Sequence, residues 1–530
     1  MMQTRRQFLE FMGRNAAGLA LSNLPLSLLA GTKDPFAFKP LKPRKSDSLE
    51  LVEGLKSEVL FSWGDTINDR GDTFGFDCDF TAFIPLRPGA TDDGFLWVNH
   101  ESTNPFFVNG LPAGTLKKTA KQMEREQKTV GGSLVRMQKK GSQWKLVKND
   151  SRNRRFDALT KIPFVGGPIQ GSSSCIGTMG NCGGGVTPWN TFLSCEENTD
   201  YFYGEAKYTN DVRTVAPSVK FGWDQHLQYP PEHYGWVTEI NPFDGTAKKL
   251  VGLGRFAHEG AMVVEARDGR LAVYMGDDAA DQCLYKFISE KPGSLEKGTL
   301  YIANIQKKNW ISLDREKNEQ LKKTFENQTE LLVRTREAAK IVGGTPLDRP
   351  EDIKYDPLTK SIVVSLTNNV AKGNHFGSLL RLQENKQDPL SMTFETSTFV
   401  SGGTASGLAC PDNLMFDPKG NLWITNDISG VSMNKKPYES FGNNGLYVVP
   451  AHGPHAGKVL QVASAPNDAE LAGPFLSPDK KTIFLSVQHP GETSTSLTNL
   501  TSHWPSGKGV PKPSVVAISG PLLDRMMGNG

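Results

Sequence analysis

The sequence lacks the long apolar runs, the one-sided charge and the cysteine framework that mark several large classes of protein. No run of 18 apolar residues occurs after residue 30, so we expect no stable membrane insertion. The 60 lysines and arginines nearly cancel the 57 aspartates and glutamates, and no basic stripe is interleaved with aromatic residues. Nucleic acid is therefore not expected as a partner. The six cysteines have wide, irregular spacing that defines no disulfide framework.

Glycine and proline, by contrast, are frequent. The 53 glycines and 33 prolines are spread along the whole chain in short clusters. Such clusters mark tight turns between short strands. The composition therefore favours a fold rich in strands over one built from long helices.

The N-terminus carries the pattern of an export signal. Twin arginines, Arg5 and Arg6, precede a weakly apolar stretch that ends near Ala30. This pattern is typical of a Tat signal peptide, and an N-terminal amphipathic helix is the alternative. We predict a signal peptide over residues 1–30 that the Tat export machinery recognises, a single domain over 31–530, and a periplasmic or secreted location. Because Tat substrates cross the membrane folded, a cofactor loaded before export is expected.

Six segments of the chain share one internal plan. Each contains a short strand, a tight turn, a second β-rich strand and a polar terminus. Their equivalent first positions are Asp79, Cys182, Glu259, Glu351, Asp412 and Gly473. Repeated units of three or four strands without alternating helices predict an all-β fold, a six-bladed β-propeller with long inter-strand insertions. A β-sandwich or barrel with coincidental similarity is the alternative.

A propeller would bring the aligned positions together, because the inner strands of all blades line one channel. Four of the six are carboxylates, which would repel one another there unless they took up protons or held cations. Carboxylate oxygens suit calcium or magnesium, whereas a thiolate at Cys182 favours a transition metal. The pattern predicts a mixed-metal cluster. The alternative for each acid is that it caps a turn or pairs with the next blade without binding a metal. The alternative for Cys182 is that it is a small buried residue or forms a disulfide.

Polar residues at the ends of the second strands are predicted to add a further shell near one channel mouth. They are Asn99, Glu101, Glu196, Glu197, Asp277, Asp278, Asn426 and Asp427.

Arg349 stands two positions before Glu351. In an extended strand these two side chains would share a face, so the guanidinium is predicted to point at whatever the metals hold. Its planar donor fork matches two phosphate oxygens. The alternative is that Arg349 only neutralises neighbouring acids.

Several strings together resemble the PhoX family of alkaline phosphatases, from about residue 70 to residue 490. They are Asn99-His-Glu101, Asn181-Cys182-Gly-Gly-Gly-Val-Thr, Ser194-Cys-Glu-Glu-Asn198, His233-Tyr-Gly-Trp-Val-Thr-Glu239, Leu253-Gly-Arg-Phe-Ala-His-Glu259, Arg349-Pro-Glu351, Pro411-Asp-Asn413 and Gln488-His-Pro490.

The resemblance implies a propeller whose channel mouth holds two Fe³⁺ and three Ca²⁺ ions around a bridging oxo group. It implies that Cys182 is the iron-bound thiolate and Arg349 the phosphate-binding arginine. The carboxylates shared between iron and calcium would be Glu197, Glu259 and Glu351. The expected calcium ligands are Glu196, Asp278 and Asp412, with Asn99, Glu101 and Asn413 as further candidates.

The implied activity is hydrolysis of phosphate monoesters to inorganic phosphate by a monomeric enzyme, with Arg349, Glu259 and Glu351 as catalytic residues. The metals would neutralise charge on the phosphate oxygens. A calcium-dependent propeller lactonase or esterase is the rival enzyme, but it leaves Cys182 and Arg349 without a role. A non-catalytic propeller with structural calcium, which binds a glycan or protein, is the rival from another class.

Overall fold

Short strands joined by turns make up most of the molecule, as the composition indicates. The computed structural model describes residues 34–112, 114–209 and 212–529. All of its strands belong to the compact unit Phe38–Gly530. The predicted signal peptide lies outside the described residues.

Six sheets, numbered here as blades 1 to 6 in chain order, surround a central channel. From the channel outwards, the strands are Cys78–Pro85, Asp93–His100, Gly131–Lys140 and Gln143–Leu146 in blade 1, with Arg154–Phe156 beside the third; Asn181–Val186, Phe192–Glu196, Val237–Ile240, Ala247–Leu250, Lys161–Val165 and Ser174–Ile176 in blade 2; and His258–Glu265, Leu271–Asp277, Leu284–Ser289, Gly298–Asn304 and Asn309–Ser312 in blade 3. They are Pro350–Tyr355, Ile362–Leu366, Ser378–Glu384 and Phe394–Ser401 in blade 4; Pro411–Phe416, Leu422–Asn426, Gly445–Val449, Leu460–Ser464 and Glu50–Leu51 in blade 5; and Glu470–Leu476, Ile483–Gln488, Ser514–Ser519 and Lys56–Ser62 in blade 6. The six-bladed propeller predicted from the repeat is confirmed.

Two strands from the beginning of the described chain complete the last two blades. Glu50–Leu51 pairs on the outside of blade 5, and Lys56–Ser62 is the outermost strand of blade 6. Blade 6 in turn contacts blade 1 at the channel, where the Thr81 hydroxyl donates to the carbonyl of Gly473 at 2.6 Å. Because a strand from near each end of the described residues belongs to blade 6, hydrogen bonds within that blade close the ring.

Each inner strand has an irregularity in its pairing with the second strand. The shifts fall between Cys78 and Thr81, Asn181 and Gly184, Glu259 and Met262, Pro350 and Ile353, Pro411 and Leu414, and Ala472 and Phe475. An extra residue in one strand bends it and re-aims its side chains. The aligned repeat positions lie within or beside these bulges, which turns them toward one end of the channel.

The core lies between neighbouring sheets. Trp97 of blade 1 is fully buried and stacks on Phe192 of blade 2, with ring centroids 5.9 Å apart. Tyr274 of blade 3 packs in one apolar cluster with Ile353 of blade 4. Burial of such large side chains between sheets contributes on the order of 2 kcal/mol each and holds the blades at fixed angles.

The short helices lie in insertions between strands, except for the last one, which follows the final strand. The α-helices are Pro105–Asn109, Ala120–Gln127, Asp200–Tyr203, Glu319–Thr324, Gln328–Val333, Thr335–Val342 and Pro521–Met527, and the 3-10 helices are Trp223–Gln225, Pro231–His233, Val251–Leu253, Arg315–Lys317, Val370–Lys372 and Asn385–Gln387. Two small sheets pair Glu205–Thr209 with Val212–Ala216 and Ala280–Gln282 with Leu347–Asp348. Within the described ranges, every helix is too short or too polar to cross a bilayer.

Candidate metal centre

Cys182 lies at the centre of a group of acids at one end of the channel. Its Sγ atom is 2.8 Å from Oδ2 of Asp79. One potential ligand atom from each of Asp79, Glu101 and Cys182 lies within 4.8 Å of the others, and the same holds for Cys182, Glu197 and Glu259. The thiol therefore belongs to two potential ligand sets that come from blades 1, 2 and 3.

The opposite side of the ring is lined by acids of blades 4, 5 and 6. The carboxyl groups of Glu351 and Glu470 lie beside that of Asp412 and act on its pKa. Glu470 is buried at the start of the inner strand of blade 6. Sequence alignment of the repeats missed it, because it placed Gly473 at the equivalent position. The signal was an acid three residues before that glycine, at the first residue of the same strand.

Burial and mutual repulsion make these groups hard to ionise. Burial is the main cause that raises the pKa of each carboxyl group, and the nearest acid adds to it, Glu101 for Asp79 and Glu197 for Glu259. The same two causes, with Asp79 as the neighbour, raise the pKa of the Cys182 thiol. Bound cations would reverse these shifts and hold the groups as anions.

The cluster contains buried oxygens that lack partners. Oδ1 of Asp79 and Oε1 of Glu259 are buried and accept no hydrogen bond from any described residue. An unsatisfied buried carboxylate oxygen costs free energy unless it carries a proton or binds a cation. Carboxylates and one thiolate form a donor set that fits hard divalent and trivalent ions. The residues present thus suit a multinuclear metal centre.

Arg349 lies at the edge of this cluster. Its Nε and Nη2 atoms donate to the two carboxylate oxygens of Asp278 at 2.9 and 2.8 Å, and Nη2 is 2.8 Å from Oε1 of Glu351. Burial opposes the ionisation of Asp278, but the Arg349 charge outweighs it and lowers the pKa of Asp278. The guanidinium also approaches Asp427, 3.8 Å from its nearest oxygen.

The prediction that Arg349 and Glu351 belong to one extended strand was wrong. Arg349 precedes the strand Pro350–Tyr355 and has a φ of 55°, so the alternation of an extended strand does not apply to it. A left-handed conformation at a non-glycine residue costs about 1 kcal/mol or more, and it persists where the surrounding contacts require it. Here the bidentate bond to Asp278 and the contact with Glu351 hold Arg349 in this conformation.

Glu196 points away from the channel, which corrects its assignment as a calcium ligand. Its Oε2 atom accepts hydrogen bonds from the backbone amides of Gly235 and Trp236, and Oε1 is 2.7 Å from Nζ of Lys249. Both side chains of the ion pair are fully buried. Glu196 therefore stabilises blade 2, and its neighbour Glu197 faces the cluster instead.

Asn99, a further candidate calcium ligand, likewise has a structural role in blade 1. Its amide oxygen accepts from Nε1 of Trp97 and from the Ser194 hydroxyl, which uses both lone pairs. Its Nδ2 atom donates to the carbonyls of Cys182 and Gly183 at 2.6 and 2.8 Å. Asn99 thus holds the backbone of the cysteine in place, and no acceptor remains on it for an ion.

Asn413 links two inner strands. Its Nδ2 atom donates to Asp412, and its Oδ1 atom accepts from the backbone amide of Gly473 at 2.5 Å. These bonds orient Asp412 and leave Asn413 a weaker candidate ligand than the acids around it.

A second group of polar residues lies above Glu101 at the same mouth and was not predicted as a unit. Gln488 donates to Glu101 at 2.7 Å, and Asp77 is buried nearby. Burial and the charge of Asp77 raise the pKa of Glu101 to about 7. Burial lowers the pKa of His489, but Glu492 and Asp77 outweigh it and raise that pKa to about 9.

All six cysteines are unpaired thiols. Five are buried, and Cys182 alone is half-buried at the acid cluster.

These features define a β-propeller with a carboxylate and thiolate centre for multivalent cations at one end of its channel. A family model described as alkaline phosphatase PhoX matches residues 36–491, and the chain belongs to this family. It is a metal-dependent hydrolase of phosphate monoesters, which decides against the lactonase and binding-protein alternatives.

A solved structure of Pseudomonas fluorescens PhoX in complex with vanadate, a transition state analogue, is similar over most of its length. It is 28% identical, the match covers 92% of this chain and 98% of that chain, and the TM-score is 0.82. A gluconolactonase from Xanthomonas campestris also matches, at 13% identity over 84% of this chain and 97% of that chain, with a TM-score of 0.31 that is too low to bear on function. Curated proteins include none with significant sequence similarity.

Proposed function

We propose that the chain hydrolyses phosphate monoesters with calcium and iron ions held by the cluster around Cys182. The main support for the proposal is that one thiol and several buried carboxyl groups converge at one end of the channel. One oxygen of Asp79 and one of Glu259 have no hydrogen-bond partner among the described residues. The thiol is the donor that favours iron, and the carboxylates suit both iron and calcium.

The proposed ligands follow from position in the cluster. Cys182 would bind iron, and Glu197, Glu259 and Glu351 would be shared between iron and calcium, which is the role that the family resemblance implies. Asp79, one of the aligned ring carboxylates, and Glu470, which only the structure revealed, are also proposed as ligands, because each is buried against a proposed ligand. The remaining proposed calcium ligands are Glu101, Asp278 and Asp412.

When bound, these ions supply positive charge that stabilises the phosphoryl group and activates the attacking oxygen nucleophile. Arg349 contributes a permanent charge and a planar donor fork at the rim of the same site. Its Nη1 atom, which is not used by Asp278 or Glu351, donates to a phosphate oxygen. Asp278 and Glu351 hold the guanidinium in the orientation that this bond requires.

The proposal includes export of the folded protein from the cytoplasm before it acts on its substrate. The twin arginines at positions 5 and 6 support recognition by the Tat machinery and a periplasmic or secreted location. A protein that crosses the membrane folded can carry ions that it acquired in the cytoplasm. Tagged protein should appear in the periplasm or the medium, and Arg5→Lys with Arg6→Lys should retain it in the cytoplasm. Unchanged export of that double variant would contradict this part.

Hydrolysis of a chromogenic phosphate ester by the purified protein tests the main proposal. Prolonged treatment with a strong chelator should abolish it, calcium with ferric iron should restore it, and calcium alone should not. Vanadate should inhibit competitively, because the related Pseudomonas fluorescens protein was solved with it as a transition state analogue. Full activity after removal of both metals, or restoration by magnesium alone, would overturn the calcium and iron assignment.

A further inference from the structure

A cavity of about 410 Å³ opens beside the metal centre. Glu197 and Asp278, two of the proposed metal ligands, form part of its wall. The rest comes from residues between 198 and 208, from Gly235, from residues 255–257, from Ala279 and from residues between 333 and 337. Pockets for small organic ligands occupy about 300–1,000 Å³. This cavity is therefore large enough for a sugar or a nucleoside and too small for a polymer.

The walls offer room for a carbon skeleton together with polar contacts. Phe256, Tyr208 and Ala279 provide aromatic and small surfaces. Arg255 lines the cavity too, but each of its three guanidinium nitrogens already donates, to the two carboxylate oxygens of Glu205 and to the carbonyls of Tyr234 and Pro231. Arg255 therefore shapes the wall, and none of its nitrogens lacks a partner.

Arg336 differs from Arg255 in this respect. Its Nε and Nη2 atoms donate to the buried carboxylate of Asp277, whereas its Nη1 atom has no hydrogen-bond partner in the described part of the chain. The side chain is 45% exposed although Asp277 is fully buried. The free edge of the guanidinium is thus presented to the cavity, and the ion pair fixes its orientation.

Adjacent residues hold the two arginines. Asp278 binds Arg349, the proposed phosphate ligand, and Asp277 binds Arg336. Asp278 and Arg336 line the same cavity, so the group attached to a phosphate beside Arg349 would extend into a space that Arg336 borders. The arrangement separates a site for the phosphoryl group from a site for the alcohol to which it is attached.

We propose that this cavity binds the alcohol portion of the phosphate ester and that Nη1 of Arg336 donates to one of its hydroxyl groups. The inference rests on the proposed function and adds a substrate class, monoesters of hydroxylated alcohols of sugar or nucleoside size. Arg336 is a substrate-binding residue in this proposal, because it contacts the leaving group and not the phosphorus atom.

Two esters with the same phosphoryl group test the inference in the metal-loaded protein. A nucleoside 5′-monophosphate would fill the cavity, and methyl phosphate would not reach it. Glu337→Trp places a bulky side chain on the cavity wall at a position that is 40% exposed, while Arg334 keeps its bond to Glu330. It should raise KM for the nucleotide about tenfold, leave KM for methyl phosphate within about twofold, and leave inhibition by inorganic phosphate unchanged.

Arg336→Lys retains a cation beside Asp277 but removes the Nη1 donor. KM for the nucleotide should rise about threefold to tenfold with kcat unchanged, as expected for one lost hydrogen bond. Lys323→Trp, at an exposed position on the neighbouring helix Glu319–Thr324, is the matched control and should alter neither ester.

Equal changes in KM for both esters, or no change with either cavity variant, would overturn the inference while the phosphatase assignment stands. Failure of the unaltered, metal-loaded protein to hydrolyse either ester would overturn the proposed function and this inference with it. Inhibition by inorganic phosphate reports on a folded centre in each variant. If Glu337→Trp does not fold, Arg336→Lys still decides the question.

Discussion

Cys182 occupies a ring position at which four of the other blades place a carboxylate. Its sulfur lies among Asp79, Glu197 and Glu259, and burial together with these acids raises the pKa of the free thiol. A thiolate there is stable only beside a strongly attracting cation. The residue is thus the most specific indicator of a transition metal in the cluster.

Replacement of Cys182 tests this role. Cys182→Ser removes the soft donor, so we expect the visible thiolate-to-iron absorption band to disappear and kcat to fall about 10- to 100-fold. Absorption spectra and ester hydrolysis of the purified variant measure both effects. Cys175→Ser is the control, because its thiol donates to the Ile162 carbonyl away from the cluster and a serine can do the same. A colourless but fully active unaltered enzyme would refute iron ligation by Cys182.

Arg349 is tested by a loss of anion binding without a loss of metal. Arg349→Ala removes a charge-assisted donor fork, so KM for phosphate esters and the inhibition constant of inorganic phosphate should each rise roughly 30-fold. Elemental analysis should find the ions still bound, since Arg349 contributes no ligand atom. Arg349→Lys should recover part of the affinity through its charge. Unchanged inhibition by phosphate in Arg349→Ala would contradict the assignment.

At the scale of the elements, the inner strands approach one another most closely where the ring closes. Gly473 of blade 6 has a φ of 54°, and a Cβ atom there would lie 2.6 Å from the backbone of Asp79, Phe80 and Thr81 in blade 1. Only glycine fits both the conformation and the contact. The sixth blade consequently places no side chain at the aligned position, and Glu470 provides its acid instead.

Gly473→Ala should therefore destabilise the closed ring. We expect a loss of more than about 2 kcal/mol in the free energy of unfolding, since neither backbone can move without breaking the bulge. Gly407→Ala is the control, because Gly407 has a φ of 74° and nothing within 4 Å of its added Cβ, so only about 1 kcal/mol of strain is expected. Urea unfolding of both variants in saturating metal gives the comparison. Equal losses of unfolding free energy in the two variants would show that the close contact between blades 6 and 1 does not contribute to stability at Gly473.

The sequence predicts those features of the fold and the site that depend on residues close together in the chain. The turn between two strands repeats in every blade, so the inner strands and the ring positions Asp79, Glu351 and Asp412 could be found by alignment. The partner of Glu196 could not, because Lys249 lies 53 positions later and reaches it only through the pairing within blade 2. Strand Lys56–Ser62 was missed for a similar reason, since its partner strand is at the opposite end of the chain.

At the scale of the whole molecule, the cluster links metal binding to stability. Without ions, burial and the charge of Asp77 give Glu101 a folded-state pKa of about 7, above its ordinary value of 4.5. The folded protein then binds the proton more tightly, so the stability that this group contributes is present below about pH 4.5 and is lost as pH rises through about 7. Metal binding has the opposite dependence, because it requires deprotonated ligands and strengthens with pH.

The difference in melting temperature between metal-loaded and chelated protein should consequently be larger at about pH 8 than at about pH 5.5, by roughly 10 °C. Thermal unfolding of the two forms at both pH values measures it. Groups outside the cluster shift both forms alike, so they cancel in the difference. A difference that is equal at the two pH values, or smaller at the higher one, would contradict the link.

Acids from all six blades coexist at the channel mouth, and we attribute this to multivalent cations that lie among them. Elemental analysis of active protein, during stepwise chelation with phosphatase activity followed in parallel, tests this explanation. We expect more than one ion each of calcium and iron per chain, and activity that falls as the ions are removed. Fully active protein with less than about 0.1 equivalent of either metal would contradict it.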